Sequence, residues 1–358
     1  MDKRIIGFDL ARAYAVFGMY LVNFNFCFGS FSNETFLGRC LNLFVGNSTA
    51  IFIICAGMGL SLMTSRSDYT DAEKKYLRSI VIKRSWFLFA IGLVLYNWWP
   101  GDILHFYGGY MHIAAFLIFI DKKYFLVGGC IAIIVFHLLL LLIPIETGWN
   151  FIKFQPVDFW TISGFIRNTL YNGWNSIFPW IAYFFLGMWL GRLDWDPAYI
   201  RKRIFITALT VFVLLQILRF FARTNYFDDR TTQYVMSEYF PPYLPFMMIT
   251  GSFALMVIVL LIFIGKKCAG YPIIQYLAAT GKLTLSHYII HLTLGMVLLS
   301  AISGKPYTGN LATGHALSPI YIIIYSVIFF AISIMFSVLW LKWFRNGPFE
   351  TVMRRLSR

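Results

Sequence analysis

The sequence predicts an all-α, polytopic integral membrane protein with about ten transmembrane helices and both termini in the cytoplasm. Of the 358 residues, 59% are hydrophobic and only 13% are charged, which is about half the charged fraction of a soluble globular domain. The apolar residues form segments long enough to cross a bilayer. Lys and Arg concentrate in every second connection between these segments, which is the positive-inside pattern. We therefore expect the lipid bilayer to be the main partner of one transmembrane domain, residues 1–358.

The ten predicted spans follow from segment length. A transmembrane helix needs about 20 predominantly apolar residues at a rise of about 1.5 Å per residue. The segments that meet this requirement are roughly 6–28, 42–63, 80–99, 103–120, 124–145, 176–191, 203–222, 243–265, 283–302 and 318–341.

The distribution of basic residues predicts the orientation of these spans. If the N-terminus, with Lys3 and Arg4, is inside, the inside segments hold 22 of the 30 Lys and Arg residues and the outside segments hold seven. The remaining one, Arg12, lies within the first span. The basic loop at about 64–80 and the tail at about 342–358 are then cytoplasmic. The net charge of +14 thus follows from membrane topology, and we expect no nucleic-acid partner because the basic residues occur in short runs between apolar segments.

The longest predicted outside loop, at about 146–175, is rich in tryptophan. It carries Trp149, Trp160 and Trp174. These side chains fit a belt at the membrane interface, where Trp is enriched, and they also fit a lid over an external opening. The sequence leaves both interpretations open.

The first span carries polar residues on one face. At 100° per residue, Asp9, Arg12, Tyr20 and Asn23 point within about 60° of one direction, whereas Asn25 points nearly the opposite way. Polar groups facing lipid are costly, so we expect this face to point into the helix bundle. The i, i+3 spacing of Asp9 and Arg12 also fits an ion pair that only anchors the helix at the cytoplasmic interface.

Four histidines in two later spans are the candidates for chemistry. His105 and His112 are seven residues apart and share a helix face, and His287 and His291 are four apart. An i, i+4 pair of histidines can hold a metal, but the Glu of an H-E-x-x-H motif and a third ligand are lacking, so we expect no metal site. His287 and His291 also fit hydrogen-bonded residues in helix packing.

Several stretches together resemble one family of membrane proteins. Bacterial membrane O-acyltransferases open with D-x-L-R and place a His eleven residues after the Arg. This chain has "DLAR" at Asp9–Arg12 and an Asn in "VN" at that position, Asn23. An Asn at this position resembles the pattern of YeiB-type proteins of unknown function and of the related heparan-α-glucosaminide N-acetyltransferase group. Three further stretches look YeiB-like: "GDILHFYG" at 101–108, "YLAATGKLTLSHYIIH" at 276–291 and "GPFETVMRRL" at 347–356.

The resemblance implies a multi-pass protein of the bacterial cytoplasmic membrane that transfers an acyl group. The donor would be a cytoplasmic acyl-CoA, such as acetyl-CoA, and the acceptor a small molecule with a hydroxyl or an amine. Arg12 matches the family arginine associated with the donor, and we group Asp9 and His287 with it on the donor side. A guanidinium suits a pyrophosphate or a thioester oxygen.

The catalytic base is the point at which this chain departs from the family pattern. Asn23 stands where the O-acyltransferases have His, and an amide cannot act as a general base. One of four histidines would have to accept the proton, with Asn23 donating to the carbonyl oxygen or orienting the histidine: His112, His291, His105 or His287. The same polar face also fits a transporter or flippase of a small polar or anionic solute, or a non-catalytic membrane scaffold or sensor.

Overall fold

A computed structural model describes residues 5–30, 33–66, 68–224, 226–309 and 316–358. Lys3 and Arg4, on which part of the predicted orientation rests, lie outside these ranges. The described chain is helical, as predicted, apart from a two-stranded antiparallel ribbon in which Trp149 pairs with Pro156 and Asn150 with Gln155.

Each predicted segment of the first half of the chain contains a helix, although several helix ends differ from the predicted bounds. Their bounds are α1 Ile6–Phe28, α2 Phe36–Asn42, α3 Asn47–Met63, α4 Asp71–Tyr96, α5 Leu104–Ala115 and α6 Lys123–Leu142, followed by the ribbon strands β1 Trp149–Asn150 and β2 Gln155–Pro156, helix α7 Ile162–Arg167 and a π-helix at Asn168–Asn172.

The second half is built in the same way. Its helices are α8 Ile177–Leu190, α9 Ala198–Arg223, α10 Asp229–Val235, α11 Leu244–Lys267, α12 Pro272–Lys282, α13 Thr284–Ile290, a π-helix at His291–Gly295, α14 Met296–Ser303, α15 Pro319–Trp343 and α16 Pro348–Leu356.

Local sequence explains several of the helix ends. Helix α4 begins nine residues before the predicted span because Thr70 and Glu73 form a capping box, in which each side chain accepts a backbone N–H of the other residue. Helix α12 begins at Pro272, which suits a first helical position because proline has no N–H to satisfy. Helix α5 is only 12 residues long and ends at Ala115, earlier than the predicted span.

Within the described residues, seven helical segments are long and apolar enough to cross a membrane, so the chain is a multi-pass integral membrane protein. These segments are Phe36–Met63, Asp71–Tyr96, Lys123–Leu142, Ala198–Arg223, Leu244–Lys267, Thr284–Ser303 and Pro319–Trp343.

The predicted count of about ten spans is not confirmed. The three remaining predicted segments correspond to α1, α5 and α8. Helices α5 and α8 have 12 and 14 residues, fewer than the roughly 20 that a straight span needs. Helix α1 has 23 residues, but Asp9, Arg12 and its two asparagines lower its mean hydropathy. The cytoplasmic location of the termini stays a prediction.

The chain divides into two compact units. The first contains the described residues up to Phe52 together with Val257–Arg355, and the second contains Ile53–Met256 with Leu356–Arg358. The prediction of one transmembrane domain over 1–358 is not tested by this division and stays a prediction.

In the first unit, α1 packs against α12, α13 and α15. Glycines allow the backbones to approach closely. A Cβ atom on Gly7 would overlap the backbone of Ile262 in α11, and one on Gly281 of α12 would overlap the carbonyl oxygen of Asp9. Helix α1 is consequently buried on nearly all sides, and Asn25, predicted to face away from the polar stripe, is also buried, at 2% exposed.

In the second unit, α4 packs along α5, and α8 packs against α5 and α6. Gly92 of α4 lies against the backbone of His105, and a Cβ atom on Gly108 would come within 2.7 Å of the backbone of Phe89. The small residues on the histidine-bearing helix thus permit the close helix approach that the sequence predicts.

The contact of Gly281 with Asp9 generates a stability prediction. We expect Gly281→Ala to lower the thermal stability of the protein in detergent, because the added methyl overlaps a backbone atom that cannot turn away. Overpacking of this kind costs about 1–3 kcal/mol, which outweighs the roughly 1 kcal/mol that alanine gains over glycine in a helix. Gly270→Ala is the matched control, since a Cβ there meets no atom within 4 Å. Equal melting temperatures for the two variants would contradict the assigned packing.

Candidate functional site

The polar face of α1 points into the protein, as predicted. Asp9 is 2% exposed and Tyr20 is fully buried. The Arg12 guanidinium lies 3.1 Å from the Asp9 carboxylate, and the Arg12 side chain keeps 24% of its surface exposed. A buried carboxylate needs a paired cation, so Asp9 holds Arg12 in place while part of the Arg12 side chain remains exposed.

One turn from the other end of α1, Asn23 is hydrogen-bonded to His291. The Asn23 amide nitrogen lies 3.0 Å from Nε2 of His291, although the two residues are far apart in the chain. His291 is fully buried, whereas Asn23 is half-buried. The structure therefore places an imidazole beside the position at which the O-acyltransferase pattern has its histidine.

The surroundings of His291 determine which ring nitrogen carries the proton. Nδ1 lies 3.2 Å from the carbonyl oxygen of His287, and a carbonyl oxygen can only accept a hydrogen bond. Nδ1 is therefore protonated in the neutral ring, and Nε2 accepts from the Asn23 amide. The lone pair that a general base would use points at Asn23.

His287 has a partner on α15. Its Nε2 lies 2.7 Å from the hydroxyl oxygen of Ser337. Ser337 donates its single hydroxyl proton to the carbonyl oxygen of Ser333 at 2.7 Å, so it accepts from His287. His287 is 2% exposed, so its hydrogen bond to Ser337 joins two helices in the interior of the protein.

Tyr20 joins α1 to the same helix. Its hydroxyl lies 3.1 Å from the Ser333 hydroxyl, which itself donates to Phe329 at 2.9 Å. Its ring centroid is 5.0 Å from that of His291. The Tyr20 ring thus supports one side of the imidazole that Asn23 contacts.

The helix changes its hydrogen-bonding pattern at His291. Residues His291–Gly295 form one turn of π-helix between α13 and α14. Single π-helical turns widen a helix locally and occur frequently at functional sites. The backbone irregularity and the polar contact with Asn23 coincide at the same residue.

The second unit holds the other predicted histidine site. His105 Nδ1 lies 3.2 Å from the Asp102 carboxylate, and both side chains are fully buried. The same carboxylate oxygen accepts the backbone N–H groups of Leu104 at 2.8 Å and His105 at 3.2 Å. Because Nδ1 donates to Asp102, the Nε2 lone pair is unprotonated in the neutral ring, and it has no hydrogen-bond partner among the described residues.

His112 is bonded to a serine of the neighbouring helix. Its Nδ1 lies 3.1 Å from the hydroxyl of Ser85, which donates to the carbonyl oxygen of Ile82 at 2.7 Å. His112 is half-buried and packs edge-on against the ring of Trp86. This arrangement matches a packing histidine as closely as a catalytic one.

The structure thus divides the seven predicted residues among five separate contacts. Asp9 pairs with Arg12, Asn23 pairs with His291, and His287 belongs to the first unit with them. His105 and His112 lie in the second unit, each with its own partner. In the described parts of the chain, no group of three or more His, Cys, Asp or Glu side chains could hold a metal ion.

Sequence reasoning missed Asp102, Ser333 and Ser337. Asp102 stands in the "GDILHFYG" stretch just before helix α5, where an Asp side chain commonly accepts the first backbone N–H groups of a helix. The two serines are four residues apart on an otherwise apolar helix. Polar residues repeating at that spacing are the available signal for a polar contact inside the bundle.

Two family models match the chain. The model described as heparan-alpha-glucosaminide N-acetyltransferase, catalytic, matches residues 4–227 and so includes Arg12, Asn23 and His105. The model described as a protein of unknown function, DUF418, matches residues 187–358, which include His287 and His291. No curated protein matches the chain.

Proposed function

The chain belongs to the family described as heparan-alpha-glucosaminide N-acetyltransferase, catalytic, an acetyltransferase-like family of membrane enzymes, and on that premise we propose that it transfers an acyl group. The donor is a cytoplasmic acyl-CoA such as acetyl-CoA, and the acceptor is a hydroxyl or an amine of a small molecule. The structural observation that carries the proposal is the hydrogen bond of 3.0 Å between Asn23 and the buried His291.

His291 is the proposed general base. It is neutral with its Nε2 lone pair directed at a side chain that can turn away, and a neutral imidazole near pH 7 is suited to removing a proton from a hydroxyl or an amine. It also lies in the same unit as Arg12 and Asn23. His105 and His112 are the alternative bases, and His105 has the better geometry of the two because Asp102 holds its Nδ1.

The reaction then proceeds in two proton transfers. The acceptor gives its proton to Nε2 of His291 while its oxygen or nitrogen bonds to the thioester carbonyl carbon. The carbon–sulfur bond breaks, and the imidazolium returns the proton to the CoA sulfur. The products are an acyl ester or amide and free CoA. Asn23, released from Nε2, donates its amide N–H to the negative charge that develops on the carbonyl oxygen.

Arg12 is the proposed contact for the donor, held by Asp9. The Arg12 side chain is partly exposed, and a guanidinium carries several N–H donors that suit a phosphate or a thioester oxygen. Arg12 and Asn23 are eleven residues apart on one straight helix, which corresponds to about 16 Å. The charged part of the donor and its reactive thioester can therefore contact the two ends of one polar face.

The transport and scaffold interpretations are less favoured. Mutual pairing of polar groups, such as Asn23 with His291 and His287 with Ser337, is expected of a scaffold and of an ordered active site alike. The family match to a catalytic domain is the observation that favours an enzyme.

The choice of base can be tested by comparing two variants. With purified protein in detergent and acetyl-CoA as the substrate, water serving as acceptor, we expect His291→Gln to lower kcat for thiol release by about 10²- to 10⁴-fold, the contribution of a general base. Binding of acetyl-CoA should be unchanged, because Arg12 is untouched. Thiol release is followed with a chromogenic thiol reagent.

His105→Gln is the matched control in this comparison and should retain most of the activity. A loss confined to His105→Gln would move the base to the Asp102 pair in the second unit. Full activity in both variants would exclude each histidine as the base. If both variants lose activity, the pH dependence of kcat in each variant decides which histidine is the base.

The donor assignment makes a separate prediction. The double variant Asp9→Asn/Arg12→Gln removes Arg12 without leaving a buried carboxylate unpaired. It should weaken acetyl-CoA binding by about 10- to 100-fold, the range for lost hydrogen bonds to a charged group. Isothermal titration in detergent measures it. Arg39→Ala, the loss of an exposed arginine on the predicted outside, is the control. Unchanged affinity in the double variant would remove Arg12 from the donor site.

We further propose ten spans in the cytoplasmic membrane of a bacterium, with both termini inside. This orientation places the Arg12 end of α1 on the side of the cytoplasmic donor. In a variant lacking the five native cysteines, Ser163→Cys in the predicted outside loop should react with a membrane-impermeant maleimide in intact cells. Ser65→Cys and Arg358→Cys should react only after permeabilisation. Both serines are exposed, so accessibility to the reagent is matched. Labelling of Arg358→Cys in intact cells would reverse the orientation.

A further inference from the structure

The C-terminal helix α16 is hydrogen-bonded to the start of α13, the helix that carries His287 and continues into the π-helical turn at His291. Glu350 accepts three hydrogen bonds from the start of α13: its Oε1 accepts the backbone N–H groups of Leu285 at 2.8 Å and Ser286 at 3.1 Å, and its Oε2 accepts the Ser286 hydroxyl. The Ser286 hydroxyl oxygen in turn accepts the backbone N–H of Phe349 at 3.2 Å. We call this set of contacts the Glu350 clamp.

The clamp supplies a cap that the local sequence does not. The first N–H groups of a helix have no partner within the helix, and a side chain such as Ser, Thr, Asp or Asn usually accepts them. Leu283, which precedes α13, cannot do so and makes no side-chain cap. The Glu350 carboxylate takes that role from a distant part of the chain, and its negative charge is favourable at a helix N-terminus.

The surroundings of Glu350 are built for this contact. A Cβ atom on Gly347 would overlap the Glu350 carboxylate and lie 2.7 Å from the Ser286 hydroxyl, so glycine leaves the space that the clamp needs. Ser286 is fully buried. Burial raises the pKa of the Glu350 carboxyl, and the hydrogen bonds from Ser286 and Leu285 offset this effect in part.

The clamp lies next to the proposed base in the chain. His287 follows Ser286 directly, and His291 follows one helical turn later, with its partner Asn23 on α1. A helix whose first turn is released can rotate or shift along its axis, and a displacement of about 1 Å at a catalytic group can cost a large part of the rate.

We propose that Glu350 is a positioning residue, which holds the start of α13 so that His291 keeps its hydrogen bond to Asn23 and His287 keeps its bond to Ser337. The catalytic consequence rests on the proposed acyltransferase function, whereas the structural consequence does not. The "GPFETVMRRL" stretch thereby has a role in the site, although it follows the last apolar helix.

The test combines a spectroscopic and a kinetic measurement on the full-length protein in detergent. The protein is labelled with ¹⁵N-histidine, and the His287 and His291 ring signals are assigned from His287→Gln and His291→Gln. Glu350→Ala should shift the His291 ring nitrogen signals and lower kcat for acetyl-CoA hydrolysis by about 10- to 100-fold. The KM for acetyl-CoA should stay within about twofold, because Arg12 is not part of the clamp.

Two milder variants give a graded series. Glu350→Gln keeps one oxygen for the backbone N–H groups, and Ser286→Ala removes only the hydroxyl, so both should fall between the wild type and Glu350→Ala. They also serve if Glu350→Ala does not fold. Glu34→Gln, the loss of an exposed carboxylate in the same unit, is the control and should leave both signals unchanged.

The outcomes separate this proposal from the proposed function. Unchanged His291 signals in both Glu350→Ala and Glu350→Gln would overturn the positioning role. Shifted His291 signals in a protein whose wild type neither binds nor hydrolyses acetyl-CoA would support the positioning role and reject the acyltransferase. A raised KM at constant kcat would also overturn the proposal, since it would assign Glu350 to donor binding.

Discussion

The hydrogen bond between Asn23 and His291 is the contact on which the arrangement of the first unit depends. Inside a membrane protein a polar side chain without water must find its partner in another part of the protein, since lipid offers none. Asn23 on α1 and His291 at the π-helical turn satisfy each other. This contact fixes the relative position of two helices and leaves the imidazole in a defined neutral tautomer.

The other polar contacts of the unit follow from the same constraint. His287 and Tyr20 reach α15 through Ser337 and Ser333, and each serine already donates to its own helix, so each can accept from one of them. Glu350 completes the set by capping α13 at its N-terminal end. The polar residues therefore form a chain of contacts that joins α1, α13, α15 and α16, and the proposed chemistry takes place at one link of it.

Glycine is what lets these groups come within hydrogen-bonding distance. Close backbone approach at Gly7 and Gly281 places α1 against its neighbours, and Gly92 and Gly108 do the same for the helix pair that holds His105. Without a hydrophobic driving force between helices in lipid, packing of small residues and interhelical hydrogen bonds supply the stabilisation. The glycines and the polar pairs thus act together.

The sequence by itself determined the helical class, most of the helix positions and the polar face of α1, because length, apolar content and the helical period are local properties. It also identified Asp9 with Arg12, which are neighbours on one turn. It could not pair Asn23 with His291 or Ser286 with Glu350, since those residues are distant in the chain, and it could not show that α1 is buried on its Asn25 side. Only the packing of helices decided these contacts, because a hydrogen bond between two helices depends on the position and rotation of both.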